Sequence, residues 1–447
     1  MSQLCAQGSA PLRGRIQIPG DKSVSHRALL LGSLADGRSR VGNFLPAADC
    51  RATLQAVRAL GVEVDEQGPS SLVLKGKGLG CLREPDDVVD CSRSGTTMRL
   101  LAGILAGQSF PTVLTGDVQL RRRPMGRIAD PLRCMGATVL GRDGGRLPPL
   151  TIQGGALQGL DHTLPVASAQ VKSALLLAGL HASGPTSLYV PGPARDHTER
   201  MLAAMGGRLE IGDWDSVPGG QYLRLEPGHA LKTVDFAVPG DFSSAAFVLV
   251  AASLVPGSEV LIEGVGVNPT RTGLLDVLRT MGADLTLENE QTVSGEPVAD
   301  LVVRASELRA AEVAGGVVVR AIDEIPILAV AATQAHGETV VRDAAELRVK
   351  ETDRIATTVR ELRRLGAKIE ARPDGLVIQG PTPLRATDAA GGQPAMVHSH
   401  GDHRLAMALV VAGLIARDEI SVQDTDCIAD SFPGFAVALV RLGGRVR

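Results

Sequence analysis

Aromatic residues are scarce in this chain. Two Tyr, one Trp and seven Phe make up 2% of its 447 residues, too few for the rows of rings on which single-stranded nucleic acid stacks. There is no excess of charge of either sign. Forty-six Lys and Arg stand against 49 Asp and Glu, for a net charge of −3. That removes any bulk attraction to nucleic acid or to an anionic membrane, so anion recognition must come from local clusters. The six cysteines are scattered, with no C-x-x-C pair and no metal-ligand spacing, which fits reduced thiols in a cytosol. No apolar run reaches membrane-spanning length, and no charged-then-apolar leader opens the sequence. A cytoplasmic location is expected. What is present is 44% hydrophobic and 21% charged residue content, the composition of a globular protein. The length argues for more than one domain. The 52 Gly and 26 Pro imply many tight turns between short elements.

One pattern recurs six times. A polar start leads into a helical run, which ends in Leu or Met and then Gly, before a strand. The glycines are Gly61, Gly136, Gly206, Gly282, Gly366 and Gly443, spaced 70 to 84 residues apart. Each is a natural left-handed helix end. The period is too long for a simple solenoid and suits a unit of two helices and about four strands. The second helix of each unit is rich in Ala and Leu and poor in charge, the composition of a buried helix. These runs are 26–34, 95–106, 169–181, 243–254, 323–336 and 402–416. A further echo divides the chain. Ile18-Pro19-Gly20-Asp21-Lys22-Ser23 returns as Val238-Pro239-Gly240-Asp241-Phe242-Ser243, and three units follow each copy. The fold class predicted is therefore α/β, with two similar domains of three units each. One spans 14–236; the other takes 1–13 and 237–447. The second copy lacks the lysine, so the fold element does not need Lys22 or Arg27.

The chemistry concentrates at helix starts. Free backbone N–H groups and partial positive charge suit an anion there. After Pro19-Gly20, Lys22 adds a point charge, Ser23 a hydroxyl and Arg27 a planar fork. A capped helix with solvated basic residues explains the same stretch. Ser92-Arg93-Ser94-Gly95-Thr96-Thr97 lets a ligand approach the backbone at Gly95, or is a simple N-cap. In the basic loop 121–127, Arg123 is the chosen anion contact, although charge runs are usually solvated faces. Ser168, Ala169 and Gln170 open another buried helix, and Arg195 precedes a further one. Asp323 and Glu324 start an apolar helix, where they complement its dipole or take a proton from a hydroxyl. Between 348 and 354, Lys350 and Arg354 share a face if the helix has begun, and Glu351 lies between cations. Arg404 follows Asp402 at the last buried helix. His398, His400 and His403 have poor metal spacing, and no metal is expected.

Taken together, these stretches resemble the 5-enolpyruvylshikimate-3-phosphate synthase family over essentially the whole length. The resemblance implies two inverse α/β domains that close over their substrates, and no metal or organic cofactor. It implies transfer of the enolpyruvyl group of phosphoenolpyruvate to shikimate 3-phosphate by a monomer. Lys22, Ser23, Arg27, Ser168, Ala169, Gln170, Arg195, Asp323 and Lys350 match the shikimate 3-phosphate side. Lys22, Gly95, Arg123, Gln170, Arg354 and Arg404 match the phosphoenolpyruvate side. Asp323, Glu351 and Lys22 match the catalytic groups.

The chain departs from the family pattern in three places. Ser92-Arg93 replaces the usual Gly-Asn, Ala194 stands where many relatives have a hydroxyl residue, and Asp430 where some have Lys. Gly95 implies a pocket open to glyphosate. The sister enzyme that acts on a UDP-aminosugar is the nearest rival. It usually has Lys-Asn at Lys22-Ser23 and a Cys in the loop that here runs from 116 to 127 without one.

Overall fold

A computed structural model describes residues 2–385 and 395–447. They form two compact units. One is Gly20–Pro239 with Thr292–Glu296; the other takes the chain up to Pro19, Gly240–Gln291 and the described residues from Pro297 on. The sequence reading put the boundaries at 13/14 and 236/237. The structure moves them to 19/20 and 239/240, and strand pairing explains why. Arg13–Gln17 runs parallel to Glu259–Gly266, Arg15 opposite Leu261. Phe236–Ala237 runs parallel to Asp36–Gly42. Each short strand belongs with its partner, so the chain changes unit at the two Pro-Gly steps.

The described residues build five four-stranded sheets and one of three strands. A representative sheet orders Val89–Asp90, Pro111–Thr115, Leu147–Gln153 and Thr138–Gly141. Its first pair is parallel and the other two are antiparallel. The three-stranded sheet places Ala395–His398 parallel to Ile420–Gln423, which pairs antiparallel with the N-terminal strand Gln3–Ala6. An isolated bridge from Ala6 to Val446 stands where the fourth strand of the other sheets would be. All six repeat glycines have positive φ, from 82° to 107°, and each lies two residues after the end of its helix.

The second helix of each unit is the core. Phe242–Leu254 buries all its residues but the last, and His403–Ile415 all but its last. The helix expected from 323 runs instead over Ile325–Gln334. Two hydrophobic clusters fill the protein, one in each unit. In the first unit, Gly103 lets Gly95–Ala106 lie against Ala169–Gly179. A Cβ on it would stand 2.1 Å from the Ala174 carbonyl oxygen. Inside one such helix, fully buried Lys172 meets Glu199.

Candidate active site

In the unit Gly20–Pro239, three helix starts carry the predicted residues. Asp21 caps Lys22–Leu34, accepting from the Val24 N–H at 2.9 Å. Lys22 Nζ lies 2.5 Å from Asp49. Arg27 is 3% exposed. Its guanidinium donates to Thr198 Oγ1 (2.7 Å), Ser173 Oγ (2.9 Å) and the Ser23 carbonyl (3.0 Å), three of its five N–H groups. Burial lowers its pKa to about 10, so it stays a cation.

Gly95 opens its helix after Ser94, whose hydroxyl oxygen accepts from Thr97 N–H at 3.1 Å. A Cβ at Gly95 would stand 3.1 Å from Arg99 Nη1 and 3.3 Å from Arg123 Nη1, so this glycine keeps two guanidinium groups close to the backbone. Gln170 joins them. It accepts from Arg99 Nη1 at 2.5 Å and donates to Thr96 Oγ1 at 2.9 Å. Gly95, Arg123 and Gln170 therefore lie together, along with Thr96, whose hydroxyl the sequence also marks as a donor, and Arg99 is an addition. Burial, with Arg127 and Arg123 nearby, brings the Arg99 pKa down to about 10. Ser168 caps Ala169–Gly179 through the Val171 N–H, and Ser168, Ala169, Gln170 and Arg195 are all half-buried. Arg93 donates to Asp117 at 3.3 Å with its side chain 57% exposed, on the surface. Ala194 is buried.

In the other unit, one guanidinium gathers three carboxylates. Arg354, 2% exposed, donates to Asp402 through Nε (2.8 Å) and Nη2 (3.2 Å), to Asp323 through Nη1 (3.3 Å) and to Glu351 through Nη2 (2.8 Å). The helix begins only at Arg354, because Asp353 caps it through the Ala356 N–H at 3.0 Å. Lys350 and Glu351 lie before it, so Lys350 and Arg354 do not share a helix face. Lys350 Nζ lies 2.8 Å from Glu346 and 3.8 Å from Asp323. Burial would raise the Glu351 pKa, but Arg354 and then His403 pull it down to about 2. Its side chain is 35% exposed, the most open of the three carboxylates.

Asp402 caps the helix of Arg404, accepting from the Arg404 N–H at 2.9 Å, and Arg354 holds its pKa below the ordinary value against burial. Glu324 stands at the N-cap of Ile325–Gln334, but its side chain makes no capping hydrogen bond. It is 1% exposed and accepts from the Ser243 hydroxyl. His400 Nε2 lies 2.8 Å from Glu361. Among the described residues, no cluster of His, Cys, Asp and Glu has the arrangement of a metal site, and no helix is long and apolar enough to cross a membrane.

Arg99 escaped the sequence reading as a site residue, and so did the burial of Glu324. Arg99 had a signal, a lone charge inside an apolar helical run. Glu324 was seen, but its burial depends on Ser243, 81 positions earlier.

A family model described as EPSP synthase (3-phosphoshikimate 1-carboxyvinyltransferase) matches residues 6–439. The 3-phosphoshikimate 1-carboxyvinyltransferase of Geobacter sp. (strain M21) is 53% identical over 435 residues, 97% of this chain and 98% of that one. Its counterpart from Geobacillus kaustophilus (strain HTA426) is 52% identical, over 95% of this chain and 96% of that one. A solved EPSP synthase from Acinetobacter baumannii aligns with a TM-score of 0.89 at 42% identity, over 100% of this chain and 99% of that one. The enolpyruvyl transferase NikO from Streptomyces tendae aligns with a TM-score of 0.78 at 18% identity, over 100% of this chain and 98% of that one, a likeness of fold alone.

Proposed function

The chain belongs to the EPSP synthase (3-phosphoshikimate 1-carboxyvinyltransferase) family, and from that premise we propose which of its side chains carry the reaction. It is a transferase that moves the enolpyruvyl group of phosphoenolpyruvate to the 5-hydroxyl of shikimate 3-phosphate in the shikimate pathway, releasing phosphate. The hydroxyl oxygen adds to C2 of phosphoenolpyruvate while C3 takes a proton. The tetrahedral adduct then loses phosphate from C2 and a proton from C3. A base is needed for the hydroxyl and an acid for the methylene, and their roles reverse in the second step.

Both substrates are anionic, so the residues that hold them must first offset their mutual repulsion. Lys22, Arg123 and Gln170, with the backbone at Gly95, take the phosphoenolpyruvate anion in one unit; Arg354 and Arg404 serve it in the other. Ser23, Arg27, Ser168, Ala169, Gln170 and Arg195 face shikimate 3-phosphate, as do Lys22, Lys350 and Asp323. Asp323 and Glu351 are the acid/base pair, with Lys22 as the third catalytic group. The observation that carries this assignment is Arg354, a cation proposed for phosphoenolpyruvate that already touches both proposed proton carriers. An incoming carboxylate exchanges with Glu351, the most exposed of its partners. Losing that cation moves the Glu351 pKa up, toward easier protonation. The protein works as a monomer in the cytoplasm, without metal or organic cofactor.

Phosphate release from phosphoenolpyruvate tests the substrate assignment. Release is expected with shikimate 3-phosphate and none with a UDP-aminosugar. The opposite pattern would overturn it.

A further inference from the structure

Glu324, which the steps above do not use, forms a buried pair with Arg404. Glu324 is 1% exposed and Arg404 8%. Arg404 Nη1 lies 3.8 Å from Glu324 Oε1, and Nη1 has no hydrogen-bond partner among the described residues. The same holds for Glu324 Oε2. The Ser243 hydroxyl donates to Glu324 Oε1, and Arg271 Nη2 donates to that hydroxyl at 2.7 Å. Burial raises the Glu324 pKa, while Arg404 and Arg271 oppose the rise and Asp323 adds to it.

The repeat explains what this carboxylate replaces. Ser243 is the counterpart of Ser23 in the Pro-Gly-Asp-x-Ser echo, and Phe242 stands at the position of Lys22. At Ser23 the proposed ligand is an external anion. At Ser243 the anion is internal, and it is the Glu324 side chain. A carboxylate buried beside a guanidinium holds it more firmly than water would, because the low local dielectric strengthens the pair.

We propose that Glu324 is a positioning residue for Arg404. It is a built-in counter-anion, steadied by Ser243, that holds the Arg404 guanidinium ready for an anionic substrate group. The proposal rests on the assignment of Arg404 to phosphoenolpyruvate.

The test is steady-state kinetics of Arg404→Ala, Glu324→Gln, Ser243→Ala and the double variant Arg404→Ala/Glu324→Gln, with thermal unfolding to confirm that each folds. Glu324→Gln keeps the shape and removes the charge. It is expected to raise the KM for phosphoenolpyruvate about tenfold or more, as loss of a buried charge partner does, and to leave the KM for shikimate 3-phosphate within about twofold. Ser243→Ala moves the same constant in the same direction by less. In the Arg404→Ala background, Glu324→Gln adds little, since a residue acting through another has nothing left to act on. If Glu324→Gln acts with undiminished effect in that background, or raises both KM values equally, the positioning role is wrong. If Arg404→Ala leaves the phosphoenolpyruvate KM unchanged, the assignment of Arg404 fails instead. Should Glu324→Gln not fold, Ser243→Ala decides: an unchanged phosphoenolpyruvate KM overturns the proposal.

Discussion

Arg354 determines how Glu351 titrates. With that guanidinium at 2.8 Å, the carboxyl stays ionised down to about pH 2. Its pKa is lower folded than unfolded, so it adds stability above its ordinary value of 4.5 and loses it as the pH falls toward about 2. The kinetic consequence follows from which state each constant reports. The kcat/KM profile reports free enzyme, in which Glu351 is ionised throughout the usual assay range, whereas kcat reports the complex. An acid limb owed to Glu351 is therefore expected in kcat and absent from kcat/KM, and Glu351→Gln removes it while lowering turnover. Near-normal turnover in that variant would reject its proton-transfer role. At this scale the sequence revealed which residue types cluster at helix starts. It did not reveal their partners. Arg354 meets Asp402 and Asp323, 48 and 31 positions away, and no local pattern encodes such pairings.

The six Leu/Met-Gly helix ends were legible because left-handed backbone selects glycine, and all six have positive φ. Edge strands such as Val89–Asp90 and Glu312–Val313 were not, since two residues show no periodicity. Two glycines separate conformational from steric demand. Gly282 has φ of +90°, and the nearest atom to an added Cβ is 3.8 Å away, so Gly282→Ala meets only backbone strain, about 1–2 kcal/mol. Gly103 is helical, and its added Cβ would overlap the Ala174 backbone at 2.1 Å. Two packed helices would have to separate, and overpacking costs about 1–3 kcal/mol and more where backbone blocks the way. Denaturant unfolding is expected to rank Gly103→Ala well below Gly282→Ala. Equal losses, or the reverse order, would contradict the close helix packing described here.

The whole chain holds two units with separate cores, each a threefold repeat of the same arrangement of helices and strands. Sequence periodicity revealed that division but misplaced its edges. The strand Arg13–Gln17 pairs with Glu259–Gly266, about 250 positions later, and hydrogen-bond pairing leaves no trace in composition. The repeat also shows how function diverged on a shared frame. Lys22 in one copy is Phe242 in the other, so one helix start is left cationic and the other becomes core. The central claim is the proposed assignment of Lys22 and of Glu351 to the enolpyruvyl transfer. Its most direct measurement is the rate of phosphate release from phosphoenolpyruvate with shikimate 3-phosphate, compared among the wild type, Lys22→Met and Glu351→Gln. Each substitution, one in each unit, is predicted to slow release by about a hundredfold or more. Wild-type release by either folded variant would contradict the claim.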